Sequence, residues 1–126
     1  EKKEKIINES ETDILNEIAQ LSISEIDLVL QQLRQCFIAP LGAKWEKSTY
    51  VKIKAKIKPN RRVYENSIRI VDTNLAKDNP FYGPITRSSM NTFLNPDCTP
   101  LKLPEDKYDL WKEITLNFDY SMMKGN

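Results

Sequence analysis

The side chains that could do chemistry are few and poorly placed for it. The 126-residue chain contains no histidine, which removes the commonest metal ligand, the commonest general base and any cysteine–histidine dyad. Cys36 and Cys98 stand 62 positions apart and neither belongs to a C-x-x-C pair, so zinc and thioredoxin chemistry are not expected. On spacing alone they read better as two separate buried thiols. Glu105, Asp106, Asp109 and Glu113 scatter around a connector, whereas acid–base catalysis needs carboxylates paired in a cleft with their pKa values pushed apart. Gly42, Gly83 and Gly125 are isolated and do not form a phosphate-cradling loop. These observations predict no catalytic residue, no metal and no cofactor, so the chain is not read as an enzyme.

Binding chemistry has more to work with. Lys52, Lys54, Lys56 and Lys58 form a regular stripe that could follow a phosphate backbone. Readers of single-stranded nucleic acid interleave aromatic platforms, however, and this stripe has only Tyr50 at its end. A solvated strand face is the expected reading, with lysines that discourage edge-to-edge aggregation. Trp45, Trp111, Tyr108 and Phe81 could line a pocket but are expected at core corners.

The totals suit one soluble domain with a modest core: 14.7 kDa, 40% apolar and 29% charged. No apolar run approaches the roughly 20 residues of a membrane span. The chain opens at Glu1 without a signal-peptide pattern. It is therefore expected to be a processed fragment, with any membrane anchor lying upstream. The net charge of +1 conceals a polarised distribution: residues 44–69 hold nine Lys or Arg against two Glu, while residues 1–27 hold three Lys against eight acids. Such polarity can steer a partner.

The periodicity of the chain predicts the elements that hold these residues. Ser10-x-x-Asp13 before Ile14, Leu15, Ile18, Ala19 and Leu21 reads as a capped helical stretch. Ser22 starts a stronger helix, with Glu25 completing a capping box and Leu21 and Ile26 placed as a hydrophobic staple. Ile26, Leu30, Leu33 and Phe37 recur at helical spacing and Gln31, Gln32, Arg34 and Gln35 take the wet side. Ala39-Pro40-Leu41-Gly42 ends it. Val51, Ile53, Ala55 and Ile57 alternate with the four lysines as a strand. Pro59 to Arg62 turns, and Tyr64, Ile68 and Ile70 return as the second strand of a hairpin. Asp72 to Asn79 reads as loop. A helix from about Pro84 buries Ile85, Met90, Phe93 and Leu94, and Asn95-Pro96-Asp97 stops it. Pro100 and Pro104 mark an extended connector into Tyr108–Asp119, whose Ile114, Leu116 and Phe118 alternate with Glu113, Thr115, Asn117 and Asp119 as a last strand.

The fold class is thus α+β: a three-stranded antiparallel sheet under two main helices, in the order helix-strand-strand-helix-strand. Because a hairpin's strands are neighbours, the last strand is expected to be an outer one. Ile114–Phe118 carries no lysine or proline to blunt its edge. A partner segment could add there, main chain to main chain.

Several of these residues also carry a resemblance. A helix ending Leu33-Arg34-Gln35-Cys36, the hairpin, Pro80-Phe81, Cys98 and above all Leu103-Pro104-x-x-Lys107-Tyr108-x-Leu110-Trp111-x-x-Ile114-x-Leu116-x-Phe118-Asp119 resemble the TonB/TolA C-terminal family, closest to the TolA side of it. The likeness runs from about Ile23 to Met123, and the closing string is its specific part.

The resemblance implies a globular domain over residues 22–123, with 1–21 as the end of a helical stalk or linker and 124–126 as a tail. It implies a periplasmic domain of an inner-membrane-anchored protein, reaching the membrane only through an upstream anchor. Such a domain would serve the Tol-Pal system in outer-membrane integrity and cell division, and bacteriocins and phage would exploit it. Its implied partner is the N-terminal segment of TolB, with TolQ, TolR and Pal acting in the full-length protein; no nucleic acid is expected. The partner-binding edge strand carries over to Lys112, Glu113, Ile114, Thr115, Leu116, Asn117 and Phe118. The resemblance also implies that Cys36 and Cys98 form a disulfide, as an oxidising periplasm permits. This chain departs from the family in having Phe37 rather than tryptophan after the first cysteine, Asn60-Arg61 rather than a glycine in the hairpin turn, and Tyr120 rather than proline after the final Phe-Asp. Alternative readings are a TonB-type energy transducer for outer-membrane receptors and, in another class, nucleic-acid binding through the basic 44–69 hairpin.

Overall fold

The computed structural model describes residues 21–124; the stalk expected before Leu21, the capped stretch from Ser10 and the last two residues lie outside the described residues. Helix α1 (Ile23–Cys36) starts as its capping box dictates: the Ser22 hydroxyl accepts from the Glu25 N–H at 3.1 Å, and the Ser22 N–H donates to Glu25 Oε1 at 2.8 Å. Val29, Leu33 and Cys36 form its buried stripe. Strands β1 (Val51–Lys56), β2 (Arg69–Thr73) and β3 (Glu113–Phe118) build one antiparallel sheet in the order β2-β1-β3. Helix α2 is Tyr82–Thr92, and two single turns, α3 (Tyr108–Trp111) and α4 (Ser121–Lys124), bracket β3. The expected α+β architecture and the expected order of main elements are therefore both present.

Alternation places the core. Val51, Ile53 and Ala55 from β1, Ile57 just beyond it, and Ile114, Leu116 and Phe118 from β3 are buried against Val29, Leu33, Ile85 and Phe93. Phe93 stacks on Phe118 with ring centroids 5.5 Å apart. Trp111 is buried and its indole N–H donates to the Pro104 carbonyl at 2.6 Å, while Trp45, also buried, donates to the Thr49 carbonyl at 3.1 Å. The two tryptophans thus serve as core corners, as expected, while Tyr108 and Phe81 are only partly buried against the core and Phe81 also lines an open cleft with Leu75 and Pro80.

Several local expectations change. The stretch expected as strand from Tyr108 opens instead with α3, and strand geometry begins at Glu113. Tyr108 and Trp111 form an edge-to-face pair 4.8 Å apart, and this packing together with the Tyr108 hydroxyl bond to the Ile57 carbonyl at 2.9 Å holds the turn. The returning strand of the hairpin first pairs just beyond β1, at the isolated bridge of Ile57 with Val63, is interrupted by a 3₁₀ turn at Glu65–Ser67, and resumes at Arg69 as β2, which runs on through Asp72 and Thr73 of the stretch expected as loop. The Ser67 hydroxyl accepts from the Lys56 N–H at 2.8 Å and so holds that interruption against β1. Helix α2 starts at Tyr82, ahead of Pro84, which fits proline's tolerance of the first helical turn. Met90 is only half-buried and Leu94 is exposed; Thr86, Ser89 and Thr92 take the inner face. Their hydroxyls donate to the carbonyls of Tyr82, Ile85 and Ser88 at 2.8 Å, which satisfies them without a partner from another element.

The three positions at which the sequence departs from the pattern it resembles each have a defined local setting. In the hairpin turn Arg61 occupies the left-handed region with φ 68°, the conformation a glycine would adopt without strain. Phe37 packs edge-to-face on Trp45, centroids 5.5 Å apart. Beyond Tyr120, which is partly buried against the core, α4 begins with its Ser121 N–H donating to Asp119 Oδ1 at 2.9 Å, and Met122 is buried.

Candidate partner-binding edge

Strand β3 has one neighbour in the sheet. Its register on β1 is continuous: Val51 opposite Phe118, Ile53 opposite Leu116, Lys54 opposite Thr115 and Lys56 opposite Glu113. Its other edge has no strand beside it among the described residues. Among the described residues, no group outside the sheet hydrogen-bonds to the backbone of Glu113–Phe118. An outer strand in this state presents donors and acceptors to an added chain.

Along that edge a cleft of about 260 Å³ runs between the start of α1 and β3, lined by Leu21, Ile26, Leu110 and the 113–116 segment. Leu21 and Ile26, read from the sequence only as a staple, form its far wall. That wall is fixed to the sheet side: Lys107 Nζ, in the 3₁₀ turn before α3, lies 2.9 Å from Glu25 Oε2. The Glu25 carboxyl is held below the ordinary glutamate range, first by the Ser22 backbone N–H and then by its hydrogen bond to Lys107. One carboxylate therefore both caps α1 and ties the cleft together. The cleft was missed from sequence because it joins residues about 90 positions apart, although the staple pairing marked two of its members.

The structure distributes the expected edge residues unevenly. Glu113–Phe118 form the strand, but Lys112 caps α3, where its N–H donates to the Tyr108 carbonyl at 2.8 Å. Its own carbonyl accepts from the Ile57 N–H at 2.8 Å, so Lys112 is spent on the β1 side. On the strand itself, Ile114, Leu116 and Phe118 point into the core and Glu113, Thr115 and Asn117 to the open face.

The lysine stripe lies on a solvated strand face, as expected, but on a central strand and not on an edge. β1 is the central strand, paired on both sides, so its lysines cannot be guarding an edge. They project from the open face, on which Lys54 stands directly opposite Arg69. The exposed β2 edge is the irregular one: a bulge interrupts its register between Lys52 and Ile53, a device that disfavours added strands. β3 is regular throughout.

Cys36 and Cys98 are joined in a disulfide, Cα atoms 6.1 Å apart, which ties the end of α1 to the segment after α2. The scattered carboxylates do not converge: Glu105 faces Arg61 at 3.4 Å, Asp109 faces Lys112 at 3.7 Å and Glu113 faces Arg69 at 3.9 Å. Among the described residues no group of three or more acidic or cysteine side chains could hold a metal ion, and no helix is long and apolar enough to cross a membrane. Compared with protein-family models, with curated proteins and with solved structures, the chain finds no match.

Proposed function

We propose that this chain is a non-enzymatic interaction module of the TonB/TolA C-terminal type, which takes up an extended segment of a partner protein along the free edge of β3. One observation carries the reading: β3 is a regular outer strand whose Glu113–Phe118 backbone is bonded only within the sheet among the described residues, beside an apolar cleft. An added strand gains main-chain hydrogen bonds from such an edge and side-chain selectivity from such a cleft. The closing motif through Asp119 favours the TolA side of the family. On that reading the partner is the TolB N-terminal segment, with TolQ, TolR and Pal completing the assembly. The setting is then periplasmic, with anchorage in the inner membrane through a segment upstream of this chain, and the role is to maintain the outer membrane during growth and division.

The test is amide chemical-shift mapping of the 126-residue chain titrated with a TolB N-terminal peptide. Shifts concentrated in residues 113–118 and in Leu21, Ile26 and Leu110 are expected. Shifts that cluster on β2 or on the helices away from the cleft defeat the reading. A receptor TonB-box peptide in parallel separates a TolA role from a TonB role by which peptide binds more tightly.

A further inference from the structure

The open face of the sheet bears a column of lysines without a close ion-pair partner among the described residues, although Lys52 stands opposite Asp72, whose carboxylate accepts from the Tyr50 hydroxyl at 3.1 Å, and Lys56 stands opposite Glu113. Among the described residues no carboxylate lies within ion-pair distance of Lys52, Lys54, Lys56 or Lys58; the one ion pair on this face is Arg69 with Glu113. Lys52 and Lys58 rest over the rings of Tyr50 and Tyr64, 5.9 and 5.4 Å from their centroids. Lys54 has neither relief and stands opposite Arg69, a like-charge juxtaposition that costs stability. With edge protection excluded by the central position of β1, the column needs another explanation.

Register supplies one. Lys52 is opposite Asn117 and Lys54 opposite Thr115, so on β3 only short uncharged side chains separate these two lysines from the free edge. A strand added to β3 would run two inter-strand spacings from β1, about 9.4–9.8 Å. A flexible four-carbon lysine stem reaching over Thr115 or Asn117 can meet a carboxylate reaching back from the added strand. Beside Glu113 the situation differs, because Lys56 already stands opposite that acid. The alternate side chains of the added strand point the other way, into the cleft walled by Leu21, Ile26 and Leu110.

Resting on the edge-pairing reading above, we propose that the segment received by β3 alternates apolar and acidic residues, its apolar side chains entering the α1–β3 cleft and its carboxylates lying beside Thr115 and Asn117 under Lys54 and Lys52. The lysine column is then a selectivity device: it attracts an acidic outer face and repels a basic one.

The test compares three seven-residue peptides by amide-shift titration at low salt: alternating Val and Glu, alternating Val and Lys, and the Val-Glu composition in block order. Each is run on the chain as it stands and on the double variant Lys52→Ser/Lys54→Ser, which alters only exposed or half-exposed side chains. The alternating Val-Glu peptide is expected to shift residues 113–118 and to bind about tenfold more tightly than Val-Lys, as two exposed charge pairs changing sign would give. The block peptide should not bind, and the double variant should bring the Val-Glu to Val-Lys ratio close to one. Equal binding of the two alternating peptides, or a preference that survives in the double variant, with shifts still on 113–118, overturns the acidic rule and leaves edge pairing intact. Absence of shifts on 113–118 with any peptide overturns both. Tighter binding of oligothymidylate or anionic vesicles than of Val-Glu overturns the assignment in favour of a polyanion or a membrane surface.

Discussion

The side-chain carbonyl of Gln32 accepts a 2.8 Å hydrogen bond from the backbone N–H of Lys102, 70 positions along the chain. Its amide nitrogen donates to the carbonyls of Cys98 at 3.2 Å and Pro100 at 3.0 Å. One glutamine on α1 thus replaces the sheet or helix partners that the extended 98–102 connector lacks. Gln32→Ala is expected to lower stability by about 1–3 kcal/mol, the cost of leaving such groups without partners. Gln32→Glu keeps the acceptor and loses both donors, so it should also destabilise; urea denaturation of the oxidised protein measures both.

The disulfide acts on the same connector. Closing a 62-residue separation is worth roughly 4 kcal/mol in the loop-entropy treatment. Cys36→Ser/Cys98→Ser should lower the denaturation midpoint accordingly. Combined with Gln32→Ala the loss should depart from the sum, since the two features hold one segment. Intact mass with and without reduction before alkylation reports the pairing directly: two thiols alkylated without reduction would contradict it.

At the start of α1, Ser22→Ala should cost about 0.5–2 kcal/mol through loss of the cap. Because the folded Glu25 carboxyl titrates below its unfolded value, its contribution is present above the ordinary glutamate pKa and is lost as pH falls through the depressed one. Glu25→Gln should therefore flatten that acid-side part of the stability profile while leaving the alkaline side unchanged, as thermal melts across the acid range will show.

Arg61 sits at φ 68° with its guanidinium 3.4 Å from an exposed Glu105 carboxylate. The left-handed conformation costs a non-glycine residue about 1–2 kcal/mol, and an exposed ion pair returns about 0–1 kcal/mol. Arg61→Gly should raise the melting midpoint, and Arg61→Ala should not.

The sequence by itself determined the elements whose signals are local. The capping box at Ser22–Glu25 was legible because both partners lie within one turn, and β1 and β3 were legible because a strand with one buried face must alternate. It also determined that β3 is an outer strand, since chain order leaves no other place beside a hairpin. The Cys36–Cys98 pairing came from the family resemblance, not from spacing. What only the tertiary structure decided are the relationships across distance. Periodicity cannot say which neighbours flank a strand, and so the lysines of β1 were read as guarding an edge that pairing with β3 abolishes. Nor can it show that Leu21 and Ile26 face Leu110 across a cleft. Gln32 looked like a solvated residue because helical phase reports burial against the nearest core. It does not report the unsatisfied carbonyls that a connector from the far end of the chain brings alongside.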